Sequence, residues 1–206
     1  MVVSEWISDN YIEVFGAVAG IIYVFLEIRQ KIWLWPVGIV TSAVYVWVFF
    51  TSKFYADMTL QGYYLVISFI GWYWWRRGEG RDEETEGRRD GGMKGELQVS
   101  RLKVRMGVRL AIVFVLLFFG MWLILVKLTD SPVPLRDSFV TSLSVIATWM
   151  LARKIFEHWY LWIVVNFVSA LLFLARGLYP TVILYLVYGV MSFVGLIEWK
   201  KTMKEN

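Results

Sequence analysis

The chain has 206 residues, of which 58% are hydrophobic and 18% charged, with a net charge of +4 and a mean hydropathy of +0.57; that is too apolar for a soluble domain of this size. It has no cysteine and one histidine, His158, which excludes disulfides, thiol chemistry and a Cys or His metal cluster. The 21 basic residues gather between apolar runs, as membrane topology demands, so the charge does not point to nucleic acid.

A helix that crosses a bilayer needs about 20 mostly apolar residues. Runs of this kind fall at 12–28, 33–52, 58–75, 108–127, 137–152, 159–176 and 180–199, which predicts an all-α membrane protein with seven transmembrane helices. The 12 Trp, 11 Tyr and 14 Phe suit interfacial belts and an aromatic-lined path. Ahead of the first run, Met1–Asn10 carries Glu5 and Asp9 and no basic stretch, unlike a cleaved signal peptide. In the second run, Pro36 and Gly38 are a candidate hinge. Residues 78–96 are rich in glycine and in both charges and lack apolar periodicity, which predicts a flexible linker. The fourth run is almost purely apolar and reads as a connector. The fifth is interrupted by Thr141, Ser142, Ser144 and Thr148, whose hydroxyls can bond the carbonyl four residues back or line a cavity. With the N-terminus outside and the C-terminus cytoplasmic, 17 of the 21 basic residues fall inside and only Lys53, Lys127, Arg136 and Arg176 outside, a strong positive-inside bias.

The chain repeats itself. Laying Glu13–Trp75 over Asp137–Trp199 without gaps aligns Arg29 with Arg153, Trp35 with Trp159 and Tyr55 with Tyr179, and the block Tyr-x-x-x-Ser-Phe-x-Gly-x-x-x-Trp at 64–75 recurs whole at 188–199. This is a duplicated three-helix unit. Two such units joined by one span share the same orientation, giving a 3+1+3, SWEET-like arrangement of parallel repeats with the substrate at their interface. The division is 1–77 for the first repeat, 78–107 for the charged cytoplasmic linker, 108–128 for the connector helix and 129–206 for the second repeat.

Trp159, Trp162 and Asn166 share one face of the sixth run, and Asn166 lies roughly 10 Å beyond Trp159 along the axis, deep in the hydrocarbon if Trp159 is interfacial. A buried amide there needs a partner, either a neighbouring helix or a substrate. Gln61, Tyr64 and Ser68 form the matching stripe on the third run, and Tyr185, Tyr188 and Ser192 are their repeat mates. Asn166 pairs with Ser42, and Trp162 with Gly38. The candidate substrate-binding set is therefore Gln61, Tyr64, Ser68, Trp159, Trp162, Asn166, Tyr188 and Ser192. Glu13, Glu27, Asp57, Asp137, Glu157 and Glu198 all fall near span ends. Coupled carriers commonly use buried carboxylates, so this pattern favours facilitated diffusion of a neutral or cationic flat ring held by indole faces. No cofactor or metal is expected.

At these residues the chain resembles the PnuC family of bacterial vitamin transporters, whose best-known members carry nicotinamide riboside. The resemblance rests on Asp137-Ser138, Ala152-Arg153-Lys154 and Glu157-His158-Trp159-x-x-Trp162-x-x-x-Asn166, and on Leu60-Gln61 followed by Gly71-Trp72-Tyr73-x-Trp75. It implies a homotrimer in the bacterial inner membrane and facilitated diffusion, with a cytoplasmic kinase trapping the vitamin by phosphorylation. It also implies that Gln61, Trp162 and Asn166 meet the substrate. Where riboside carriers tend to have Asn, seven residues after the Gln, this chain has Ser68, so a thiamine or riboflavin carrier is an alternative. A membrane subunit that needs an ATPase partner is a further reading. An intramembrane enzyme is disfavoured, because nucleophilic Cys and clustered His are missing.

Overall fold

The computed structural model describes residues 11–52, 55–77, 97–128 and 133–205. The first ten residues, residues 53–54, the predicted linker at 78–96, residues 129–132 and Asn206 lie outside the described residues. Seven helices form: α1 Tyr11–Ile28, α2 Leu34–Thr51, α3 Tyr55–Arg77, α4 Val104–Leu128, α5 Pro134–Ala152, α6 His158–Ala175 and α7 Tyr179–Glu205. Each falls on a predicted span. α7 runs past its apolar stretch to Glu205, because Lys, Met and Glu sustain a helix outside the apolar layer as well as within it. Among the described residues there is no strand, only an isolated bridge between Ser100 and Ile155.

The helices α2, α4, α6 and α7 are each long and apolar enough to cross a membrane by themselves. The polar residues that lower α5 are turned inward: Ser138, Ser142, Ser144 and Thr148 are all buried. Ser138 donates to the Pro134 carbonyl at 2.6 Å, Ser144 to Val140 at 2.8 Å and Thr148 to Ser144 at 2.8 Å. These bonds four residues back satisfy three of the hydroxyls within the helix, while the Ser142 hydroxyl is buried without a partner.

Six helices close into a ring. α1 packs on α2, α2 on α3, α3 on α5, α5 on α6, α6 on α7, and α7 back on α1. Exchanging α1, α2 and α3 for α5, α6 and α7 returns the same ring, as a twofold axis between parallel repeats requires. α4 packs on α5 alone, outside the ring, with Val104, Leu116 and most of its other large side chains exposed. It returns the chain across the apolar layer without entering the core.

The repeats agree in detail. Gln30 and Lys154, which are repeat mates, both adopt a left-handed backbone with φ of 52° and 50°. The residue after each closes the helix end by donating five residues back, Lys31 N–H to Leu26 at 2.9 Å and Ile155 N–H to Met150 at 2.9 Å. This arrangement caps the last carbonyls of α1 and α5. Beyond the turns, Trp35, Trp75, Trp159 and Trp199 are nearly or wholly buried in one apolar cluster with Leu34, Leu151 and Phe156. The core is thus concentrated at the end of the ring where α1 and α5 finish and α2 and α6 begin. Residues 97–103 run against this end. Ser100 N–H donates to Lys154 at 3.0 Å and Phe156 N–H to Ser100 at 2.9 Å, while Leu102 N–H donates to the Glu157 carboxylate at 2.8 Å.

Pro36 does not break α2. It stands in the first turn of a helix that is continuous from Leu34 to Thr51, where a missing N–H has no intrahelical acceptor to lose and the fixed φ suits the helix start. The helix is thus unbroken at this proline.

Candidate functional site

A cavity of about 310 Å³ lies inside the ring, and every ring helix contributes to its wall while α4 contributes nothing. Wall positions pair across the repeats: Gly20 with Ser144, Val24 with Thr148, Gly38 with Trp162, Thr41 with Val165, Ser42 with Asn166, Tyr64 with Tyr188 and Ser68 with Ser192. The twofold axis therefore runs through the cavity. Glycine makes the room on one side: a Cβ on Gly20 would overlap the Tyr188 hydroxyl, and one on Gly38 would lie 2.9 Å from Ser68 Oγ and 3.1 Å from the Tyr23 ring. The mate of Gly38 in the other half is Trp162, so the two sides of the pocket differ in shape although their positions pair across the repeats.

Of the side chains singled out in the sequence, Tyr64, Ser68, Trp159, Trp162, Asn166, Tyr188 and Ser192 stand together in this wall. Gln61, half-buried on α3, is not part of it; its repeat mate Tyr185 is. Asn166 has a partner on a neighbouring helix and a place in the cavity wall. Its amide donates to Ser192 Oγ on α7 at 3.1 Å, so it ties two helices, and it also faces the cavity. Ser192 in turn donates to the Tyr188 carbonyl at 2.8 Å, and its mate Ser68 donates to the Tyr64 carbonyl at 2.7 Å. Both serines thus present an oxygen lone pair inward, with their protons already committed. The indole N–H groups of Trp159 and Trp162 are buried without an acceptor. Trp35 and Trp75, which do not line the cavity, leave their indole N–H groups buried and unpaired in the same way, so this is a property of the packed tryptophan cluster.

The first helix was missed in the sequence. Gly20, Tyr23, Val24 and Glu27 all face the cavity, and their i, i+3, i+4, i+7 spacing marks one helix face. Glu27 stands in the last turn of α1, near a span end as predicted, yet its side chain is only 2% exposed. Its carboxylate lies 3.0 Å from His158 Nε2, and its backbone carbonyl accepts the Trp199 indole N–H at 3.1 Å. The cavity wall therefore holds one carboxylate. Among the described residues no group of His, Asp and Glu is arranged to hold a metal ion.

A closed ring of membrane helices around a polar and aromatic pocket drawn from both halves of a duplicated chain defines a multi-pass membrane transporter, not an enzyme. The chain belongs to the nicotinamide mononucleotide transporter family, whose model matches residues 10–201. It is similar to the nicotinamide riboside transporter PnuC of Escherichia coli (strain K12), at 25% identity over 96% of this chain and 88% of that one. The riboflavin/roseoflavin transporter RibM of Streptomyces davaonensis is 25% identical over 89% of this chain and 82% of its own. Among solved structures, the crystal structure of the vitamin B3 transporter PnuC matches with a TM-score of 0.73 and 26% identity, covering 99% of this chain and 86% of that one. The resemblance read from the sequence motifs and the seven-helix fold are both borne out by these matches.

Proposed function

We propose that this protein carries nicotinamide riboside across the membrane by facilitated diffusion. The observation that carries the reading is the cavity itself: Trp159, Trp162, Tyr64 and Tyr188 supply ring faces, and Asn166, Ser68 and Ser192 supply amide and hydroxyl groups. A ring with a carboxamide and a ribose offers both the flat face and the acceptors such a wall calls for. In this reading the indoles and tyrosines sandwich the ring, and Asn166 and Ser68 bond its polar groups. Gln61, outside the wall, would have to move toward the cavity to join them. The similarity to riboside carriers over nearly the whole chain supports the substrate. The similarity to a riboflavin carrier makes other vitamins the natural controls, thiamine among them.

The same proposal takes the protein as a homotrimer of the bacterial inner membrane, with 1–77 and 129–206 as its two repeats, 78–107 as a cytoplasmic linker and 108–128 as the connector. The N-terminus faces outside, on the strength of the basic residues at the opposite end. Net uptake is driven by a cytoplasmic kinase that phosphorylates the vitamin. The single carboxylate in the wall is already engaged with His158, which fits a carrier without ion coupling.

The test is uptake of labelled nicotinamide riboside into liposomes containing only the purified protein. Equilibration without a pH or sodium gradient, and accumulation only when a riboside kinase and ATP are enclosed, is the expected result. Dependence on an ATPase partner, or transport of thiamine or riboflavin with the riboside excluded, would overturn it.

A further inference from the structure

The Glu27–His158 pair is where the two halves of the ring cease to match. The repeat mate of Glu27 is Leu151 and that of His158 is Leu34, and both leucines are fully buried in the apolar cluster that closes this end of the ring. The second copy of the same place is thus sealed by two leucines. Replacing a buried ion pair by packed apolar side chains is often neutral or stabilising, so sealing the ring does not by itself require an acid and a base. Moreover α1 and α6 are not packing neighbours; the pair reaches across the interior.

His158 Nδ1 lies 2.7 Å from the Ile155 carbonyl. A carbonyl only accepts, so Nδ1 carries a proton. Nε2 and the Glu27 carboxylate, 3.0 Å apart, then share one proton, since two lone pairs at that distance repel. Glu27 faces the cavity and His158 does not, so the pair aims its negative end at the substrate space with the histidine behind it. The other ionisable groups nearby are otherwise engaged or uncharged. Tyr23 and Tyr64 carry phenols in the wall, and Glu157 accepts from Leu102. Lys154 stands over the Trp75 ring at 4.4 Å, Arg29 over Phe25 at 5.7 Å, and Glu198 holds Lys201.

We propose that Glu27, backed by His158, is the charge-selecting residue of the cavity, favouring vitamins whose ring is a cation over neutral rings of the same shape. This rests on the cavity being the vitamin site. A cation arriving beside Glu27 draws the shared proton onto His158 Nε2, leaving a carboxylate to face the ring and an imidazolium behind it; no proton leaves the pair. A neutral ring provides no such pull. The indole faces of Trp159 and Trp162 add a cation preference of their own, so the contribution of Glu27 is read by substitution.

Calorimetric titration of the purified full-length protein with nicotinamide riboside, a pyridinium cation, and with its neutral 1,4-dihydro form tests this. The natural protein is expected to bind the cation at least tenfold more tightly than the dihydro form. Glu27→Gln is expected to reduce riboside affinity by roughly tenfold, the scale of a lost contact to a charged group, with the dihydro form little changed. The double substitution Glu27→Leu with His158→Leu copies the leucine pair of the other half, keeps the seal, and is expected to lower the preference by the same roughly tenfold. An undiminished preference in either folded variant, loss of both ligands equally, or equal binding by the natural protein would overturn the inference while leaving the transport reading intact. Failure of the natural protein to bind either form would overturn the riboside reading, and the charge selector with it.

Discussion

Trp159 drives its ring against Gly195 and meets Trp199 edge-on, with 5.8 Å between centroids and 82° between planes. In the other half Trp35 meets Gly71 and Trp75 in the same way, at 5.5 Å and 86°. Each indole fills the space left by a missing side chain on the neighbouring helix. This is why the block around Gly71 and Trp75 recurs intact around Gly195 and Trp199. Edge-on aromatic pairs add about 0.5–1.5 kcal/mol beyond the area they bury, and here two of them pin α2 to α3 and α6 to α7.

Gly195→Ala is therefore expected to destabilise the protein. The new methyl would overlap the Trp159 ring, a fully buried side chain with no room to retreat, and overpacking of this kind costs about 1–3 kcal/mol. Thermal unfolding in detergent should show a clear drop in Tm, and Gly71→Ala a similar one. An unchanged Tm would mean that the two rings are not held as described.

Asn166→Leu removes the bond to Ser192 and the only carboxamide in the cavity wall. The leucine keeps the volume, so the protein should remain folded and monodisperse. Riboside affinity should fall at least tenfold, in line with about 1.5 kcal/mol or more for a lost polar contact whose partner stays buried. Normal calorimetric binding by this variant would remove Asn166 from the site.

Trp162→Phe deletes an indole N–H that is buried without an acceptor. Loss of an unpaired donor offsets part of the lost packing, so stability should change by less than about 1 kcal/mol. Riboside binding should nevertheless weaken about tenfold if that N–H serves the ligand. A variant that loses stability but binds as before would make Trp162 a packing residue only.

Tyr63→Phe is the contrasting case. Its hydroxyl donates to the Val145 carbonyl at 2.8 Å across the seam between α3 and α5, and it is not part of the cavity wall. The expected outcome is a loss of about 1 kcal/mol of stability with riboside affinity unchanged. Weakened binding at full stability would show that this seam shapes the pocket.

Ser68→Asn restores the residue that riboside carriers tend to have here, and it tests the doubt raised by the sequence. The serine spends its proton on Tyr64 and lines the cavity; the contact with Gly38 and Tyr23 is tight, so a carboxamide there must turn away from α2 and toward the open part of the cavity. Tighter riboside binding, by several-fold, is expected from an added hydrogen bond; a loss of binding would mean that Ser68 suits a different vitamin.

Much of this protein follows from the order of its residues alone. Seven apolar runs, each near the length of a bilayer crossing, leave helices as the only way to satisfy the backbone in lipid. The duplicated Tyr, Ser, Gly and Trp block, with a single span between copies, imposes parallel repeats. The shared face of Trp159, Trp162 and Asn166 follows from helical spacing, which is local and depends on nothing distant.

What the linear order leaves open is which faces meet and how far a side chain near a helix end reaches. Gln61 and Ser68 lie on one stripe of α3, yet only Ser68 borders the cavity, because the width of the pocket is set by neighbouring helices. Pro36 stands in the first turn of α2 and leaves the helix continuous, a placement fixed by where α2 begins in the ring. Glu27 read as one more interfacial carboxylate. It is drawn inward by His158, which lies 131 residues away in sequence, and no periodicity links two residues so far apart. Only the closing of the ring, which brings the end of α1 opposite the start of α6, makes them partners.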